Sequence, residues 1–242
     1  MQIELASSGD ALARRAADIV CAAVREKPDA VLGLASGKTP LGMYAELARR
    51  VAAGKVDLGG VTAFAIDELC GVPRGHPATN ASYFARELRF RLRALHVMDS
   101  EASDPDAECT GFHHALEDAG GFDLLVLGIG HNGHLAFNEP GSAFDSHARK
   151  VALEPITREQ NVPYFGSLDA TPAYGLTLGI ADLLAARTVL LLASGAEKAE
   201  AVARALEGPV DEQAPASALQ RHPNVTALLD SPAAARLRHA PS

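Results

Sequence analysis

The chain has no tryptophan, and its 242 residues include only 4 tyrosines and 8 phenylalanines. A surface that holds nucleic acid by stacking bases on aromatic rings has little to build with. Basic residues do not compensate. Lys and Arg total 22 against 30 Asp and Glu, a formal net charge of -8, and no basic stripe of the kind a nucleic-acid binder carries is visible. An anionic ligand would therefore need a local positive site. Cysteine is scarce: Cys21, Cys70 and Cys109 are far apart, odd in number and form no CxxC pair. That excludes a disulfide framework and predicts reduced, mostly structural thiols in the cytosol. Apolar runs such as 123–128 and 189–193 are far short of the about 20 residues that cross a bilayer. Met1-Gln2-Ile3-Glu4 has no basic segment leading into an apolar core, so no signal peptide is expected. A cytoplasmic protein without membrane or nucleic-acid partners is the expectation.

Hydrophobic residues make up 48% and charged residues 21%, which excludes a disordered chain. Ala11, Leu12, Ala16, Ile19, Val20, Ala23 and Val24 recur at helical spacing and predict a helix over 10–26. Strands are predicted at 30–34, 61–66, 122–127, 188–193 and 225–229. Helices are predicted at 40–53, 80–95, 107–119 and 196–206, with Thr39 as N-cap and Pro40 as first residue of the second helix. Continuous apolar strands alternating with amphipathic helices predict an α/β fold: an open, mostly parallel, Rossmann-like sheet with helices on both faces. No linker divides the chain, so 1–242 reads as one domain. The stretch 139–177 is rich in Pro and Gly and poor in periodicity, and reads as an irregular, lid-like excursion.

Ligands of such sheets sit beyond the carboxyl ends of the strands, which selects four segments. Ser36-Gly37-Lys38-Thr39 joins a strand to a helix start, where free N–H groups and the helix dipole suit an anion. An ordinary βα turn is the competing reading, and the second element of a P-loop is absent. Asp67-Glu68 places a carboxylate at a strand end, a general-base position or a simple turn acid. Ser194 to Lys198 puts Lys198 in the first turn of a helix, where a bound phosphate would offset its conflict with the dipole; a solvated lysine is the alternative. Gly128-Ile129-Gly130-His131-Asn132-Gly133 matches GxGxxG, yet Asn138-Glu139-Pro140-Gly141 stops any helix within two turns, so a dinucleotide cofactor is rejected. His131 and His134, with His113 and His114 nearby in sequence, lack the further ligands a zinc site needs, and no metal is expected. What remains is His134 with Glu139 five residues on, an imidazole that a carboxylate can orient and make more basic, or a core histidine in a glycine turn.

Together these segments resemble the glucosamine-6-phosphate deaminase (isomerase) family, in the superfamily that includes 6-phosphogluconolactonase. The resemblance runs from about Pro28 to Leu229 through Gly33 to Pro40, Phe64 to Glu68, Gly128 to Pro140, Leu176 to Ile180 and Gly195 to Lys198. Asn132-Gly133-His134-Leu135-Ala136-Phe137-Asn138-Glu139-Pro140 is its most specific piece. The lactonase branch is similar up to the histidine and then departs, usually as Ser-Leu-Phe-Pro.

The resemblance implies an enzyme, a hydrolase/isomerase that needs no cofactor and acts on a phosphorylated aminosugar. It implies that His134 moves a proton at the ring oxygen, that Glu139 and Asn132 tune that imidazole, and that Asp67 carries a proton between C2 and C1. Ser36, Gly37, Lys38, Thr39 and Lys198 would hold the phosphate. Longer members use an arginine where this chain has Pro163, and Arg158 or Lys38 is the expected substitute. Many members carry Asp where this chain has Asn132, and an amide cannot stabilise a cationic His134 as a carboxylate would. The effector-site lysine of some hexameric members corresponds to Val151, so activation by N-acetylglucosamine 6-phosphate is not expected. A monomer or small homo-oligomer is. The galacto epimer of the substrate, a sugar lactone and a non-catalytic sensor role are the alternatives.

Overall fold

The computed structural model describes residues 1–239, so the last three residues of the expected domain lie outside the description. In chain order, β1 (Gln2–Ala6) leads to α1 (Gly9–Glu26), β2 (Val31–Leu34), α2 (Leu41–Ala52), β3 (Thr62–Ala65), β4 (Asp67–Leu69), α3 (Asn80–Glu87) and β5 (Ala94–His96). There follow α4 (Pro105–Asp118), β6 (Leu124–Gly128), β7 (Arg149–Ala152), α5 (Pro155–Phe165), β8 (Tyr174–Thr177) and α6 (Ile180–Leu184). Last come β9 (Val189–Ala193), α7 (Ala199–Glu207) and β10 (Val225–Asp230), with 3-10 turns at Ala196–Lys198 and Pro215–Arg221.

The main sheet has the order β1-β10-β9-β6-β2-β3-β5, and its strands pair in parallel throughout. Successive residues of a strand point to opposite faces, and the apolar strands divide accordingly. Val31, Phe64, Leu125, Leu127 and Leu191 enter one core, with α4, α6 and α7. Leu32, Leu34, Ala63, Ala65, Leu124, Val126, Leu190 and Leu192 enter the other, with α1 and α2. The expected α/β architecture, with both faces covered, is what the chain adopts. Gly33 lets the central strands approach, since a Cβ there would lie 2.4 Å from Leu125 Cδ1.

The differences from expectation have local causes. The helix expected over 80–95 ends at Glu87. Beyond it Leu88, Phe90 and Leu92, all partly buried, alternate with Arg89, Arg91 and Arg93 at a period of two, and Ala94–His96 pairs with β3 instead. Edge strand β1, not among the expected strands, has a single buried residue, Ala6. Thr39 makes no cap: Pro40 stands at the N-cap and α2 starts at Leu41. The stretch 139–177 is only partly irregular: 139–148 and 166–173 are turns and bends. β7 and β8 pair antiparallel and join β4 in a second, three-stranded sheet. Helix α5 forms between them, started by Pro155 and ended by Gly166 in the left-handed conformation (φ 83°). Strands of three or four residues and a weakly amphipathic helix leave little periodicity to read.

The chain runs outward from β2 to β3 and β5, then returns to the other side of β2 as β6. This reversal makes the β2/β6 crevice the switch point of the sheet, where open α/β folds place their ligands.

Phe64 is fully buried and meets Phe112 and Phe122 edge-on, with ring centroids 5.5 and 6.2 Å apart. Phe64→Ala should destabilise the fold by about 3–5 kcal/mol, read as a lower urea midpoint at unchanged slope.

Candidate active site

Four adjacent strands, β9, β6, β2 and β3, deliver the four sequence-selected segments to one end of the sheet. After β2 the chain turns through Ser36 to Thr39, with Gly37 at φ 99°, a conformation that favours glycine. Two tyrosine hydroxyls hold this turn from outside it. Tyr44 donates to the Ala35 carbonyl and Tyr83 to the Gly37 carbonyl, both at 2.7 Å. The N-terminus of α2 has neither a side-chain cap nor an acid in its first turn. Leu41 N–H turns back to the Lys38 carbonyl at 3.3 Å, and those of Gly42 and Met43 remain available to an anion. Lys38 is exposed beside them.

After β3, Asp67 and Glu68 are both buried, at 8% and 0% exposure. Glu68 accepts backbone N–H bonds from Leu69 (2.8 Å), Asn80 (2.8 Å) and Ala81 (3.0 Å). It thereby caps α3 from a remote strand, and burial pushes its carboxyl upward against those donors. Asn80 in turn donates from Nδ2 to the Asp67 carbonyl (2.7 Å) and to Asp67 Oδ1 (2.5 Å). Burial first and the neighbouring Glu68 second raise Asp67 to about 7, with the Asn80 amide opposing them.

After β6, Gly130 receives the His134 ring directly above its backbone. A Cβ at Gly130 would lie 2.3 Å from His134 Cε1, so a side chain there displaces the imidazole. No helix starts at Gly133; the chain continues through a β-bridge between Leu135 and Asn138, a course a dinucleotide motif does not take. Ala136 holds φ 51°, the one positive φ at a non-glycine among the described residues, and such strain gathers at functional loops.

His134 Nδ1 stands 3.2 Å from Glu139 Oε2, outside hydrogen-bond alignment. Glu139 is buried and accepts bonds from Asn132 Nδ2 at 2.8 Å and from the Thr157 hydroxyl at 2.5 Å. Burial pushes Glu139 up, but His134, Thr157 and Asn132 outweigh it and hold the carboxyl below its ordinary value.

Strand β8 links these two groups. Asp67 lies opposite Thr177 in the β4–β8 register, and the Thr177 hydroxyl accepts the Phe137 N–H at 3.2 Å. Asn138 donates to the carbonyls of Leu135 (3.0 Å) and Leu178 (2.8 Å), while Leu178 N–H reaches the Ile66 carbonyl. The segment of Asp67 and the loop of His134 and Glu139 are thus seated on consecutive residues of one strand end.

After β9, Asp230 at the end of β10 accepts from Ser194 Oγ (2.5 Å) and Gly195 N–H (3.1 Å). Lys198 stands at the junction of the 3-10 turn and α7. Burial lowers its ammonium against the pull of Glu197. His131 is held low by burial and then by Lys198, which puts the lysine's charge beside the loop after β6.

The family model described as glucosamine-6-phosphate isomerases/6-phosphogluconolactonase matches residues 4–228. The chain belongs to this family. A glucosamine-6-phosphate deaminase of Pseudarthrobacter chlorophenolicus is 42% identical over 242 residues, covering 98% of this chain and 93% of its own. One of Mycolicibacterium smegmatis is 44% identical over 228 residues, covering 92% and 87%. A solved monomeric glucosamine-6-phosphate deaminase superposes with a TM-score of 0.94 at 38% identity, covering 98% of this chain and 100% of that one. A 6-phosphogluconolactonase from Trypanosoma brucei, at 21% identity and a TM-score of 0.75, shares the fold.

Two readings of the site residues change within this family frame. Arg158 does not stand free for a phosphate: its Nη2 donates to the carbonyls of Leu168 (2.6 Å) and Thr171 (3.0 Å) and braces the loop after α5. Asn132 does not bond the His134 ring. It donates to Glu139 and accepts the His134 backbone N–H at 3.2 Å. An aspartate in this geometry would set a second carboxylate against Glu139. Sequence reasoning overlooked Asn80, Thr157, Thr177, Tyr44, Tyr83 and Asp230 as supports. Of these, Thr177 lay in a segment that carried the family resemblance, and Asn80 marked a predicted helix start; the others gave no local signal.

The raised Asp67 links stability to pH. The folded state keeps its proton where the unfolded chain, near 3.9, has lost it. That contribution is complete below about pH 4 and is lost as pH rises through about 7. Asp67→Asn, which retains an acceptor for Asn80, should therefore gain stability over the parent as pH climbs across this window. Urea unfolding at pH 4, 5.5, 7 and 8 measures it, and a difference that ignores pH contradicts the assignment.

Proposed function

We propose that the protein converts an aminohexose 6-phosphate, glucosamine 6-phosphate first, into the ketose phosphate and ammonia. The observation that carries this reading is the seating of two acid–base groups on one strand end: the buried Asp67, which burial and Glu68 raise to about 7, and His134 beside Glu139. The near full-length likeness to glucosamine-6-phosphate deaminases supports the choice of substrate.

The phosphate binds at the uncapped start of α2, held by N–H groups and hydroxyls of Ser36 to Thr39, with Lys38 and Lys198 as cations. Binding energy from this non-reacting group orients the sugar. His134 takes the proton from the anomeric hydroxyl and returns one to the ring oxygen, which opens the ring. Glu139 stabilises the imidazolium that forms in between, and Thr157 and Asn132 fix Glu139. Asp67 removes the C2 proton and delivers it to C1 through an enol-amine. A carboxyl near 7 serves both halves of this transfer, because neither its acid nor its base form is scarce at neutral pH. Water then adds at C2 and ammonia leaves, so substrate plus water gives fructose 6-phosphate plus ammonia. We assign 139–177 as the lid, tied to the site through Thr157. Arg158 is left out of the phosphate site. A cytoplasmic setting and a monomeric state fit the same reading, the latter in line with the monomeric relative. Among the described residues no helix is long and apolar enough to cross a membrane.

Ammonia release from glucosamine 6-phosphate tests the proposal directly, with galactosamine 6-phosphate and 6-phosphogluconolactone run beside it. Turnover of the lactone alone would replace it. His134→Gln should lower kcat by about 10²–10⁴-fold with little change in KM, because the imidazole is not used to hold the phosphate.

In the parent, kcat/KM should rise with pH through about 7 as Asp67 ionises. Asn80→Ala removes the donor that favours the carboxylate, so the midpoint of that rise should move to higher pH; a midpoint that stays or falls would remove Asp67 as the base.

A further inference from the structure

We infer that His113, His147 and Asp182, none of them an acid–base group of the proposed reaction, form a site for a divalent transition-metal ion of the zinc type. The three are remote in sequence: His113 lies on α4, His147 just before β7 and Asp182 in the first turn of α6. The fold brings their ligand atoms within 4.8 Å of one another. Asp182 Oδ1 is 2.6 Å from His147 Nδ1 and 3.1 Å from His113 Nδ1. Four-coordinate zinc with bonds of about 2.0–2.1 Å spaces its ligands roughly 3.3 Å apart. His113 is already near that spacing. His147 must withdraw by a fraction of an ångström, which its 62% exposed side chain permits.

Polar satisfaction also calls for a cation. His113 Nδ1 is buried and has no hydrogen-bond partner, although a carboxylate oxygen faces it. The outer nitrogen of the same ring, Nε2, stands 3.5 Å from Glu117 Oε1. A carboxylate on that side directs the Nδ1 lone pair inward, the arrangement that metal-bound histidines use. The Asp182 side chain is 1% exposed, and its other oxygen, Oδ2, is occupied by the Gly179 N–H at 2.9 Å. Oδ1 faces two imidazoles: it shares a hydrogen bond with His147 Nδ1 at 2.6 Å, whereas His113 Nδ1, 3.1 Å away, makes none. A metal among the three gives His113 Nδ1 a partner in exchange for the His147–Asp182 hydrogen bond, with a fourth position on the side of the exposed His147.

The donor set selects the ion. Two imidazoles and one carboxylate suit zinc, nickel or copper, whereas calcium and magnesium prefer an all-oxygen shell. Arg149, partly buried beside Asp182 and donating to the His147 carbonyl at 3.2 Å, further disfavours a cation held by charge alone. Once bound, the ion joins α4 and α6 to the stretch that runs from Glu139 to β7. That stretch already rests on α6, because Ser146 accepts the N–H groups of Ile180 and Ala181.

The test uses the full chain stripped with chelator, then given zinc chloride alone. We expect one zinc per chain retained through gel filtration and a higher Tm with zinc. Cobalt in its place should give a visible d–d absorption band. His113→Gln and His147→Gln should each weaken zinc binding at least about tenfold and abolish the Tm shift, with circular dichroism confirming the fold; His147→Gln alters an exposed side chain and keeps the test valid if His113→Gln fails to fold. Less than stoichiometric retention in the parent overturns the site. So does retention unchanged in His147→Gln, which would assign the zinc to other histidines.

Discussion

Glu68 is the fixed point of the site. It is wholly buried, and a carboxylate there must be compensated or it costs several kcal/mol. Three backbone N–H groups provide that compensation, two of them from the first turn of α3. The end of β3 and the start of α3 are locked together as a result. This lock places Asn80, and Asn80 places Asp67. The neighbouring charge that Glu68 contributes is also one of the two reasons why Asp67 gives up its proton near neutrality. One buried acid thus sets the position of the next residue and adds to the effect of burial on its proton affinity.

A second buried carboxylate repeats the device with the opposite outcome. Glu139 is also buried, yet donors from Asn132 and Thr157 and the nearby His134 keep it ionised. The contrast is of the kind that divides acid–base labour between like groups. The family membership adds a substrate class to this chemistry, and the chemistry supplies a reason for particular residues. Asn132 is a case. Its amide is a donor to Glu139, so an amide rather than an acid fits the position in this chain.

Much of the fold was legible because parallel strands buried on both faces read as short continuous apolar runs, and Val189–Ala193 or Leu124–Gly128 could be little else. Phe137-Asn138-Glu139-Pro140 carried the branch of the family in its chemistry. What escaped was whatever depends on pairing between distant segments. Ala94–His96 is a strand because β3 accepts it, and β7 and β8 are strands because they find each other and β4. Thr157 reaches Glu139, and Tyr83 reaches Gly37, through tertiary placement that no local pattern encodes. Arg158 escaped for the same reason: sequence shows a cation but not the two carbonyls that engage its Nη2.

The rims of the main sheet carry a different consequence. An open sheet ends in strands with unpaired backbone groups, which invite edge-to-edge aggregation unless they are short or charged. Here one rim is β5, three residues long and preceded by Arg89, Arg91 and Arg93. The other is β1, whose Glu4 is engaged by Arg15 of α1. Neither rim offers a long apolar template for edge-to-edge pairing with a neighbouring chain.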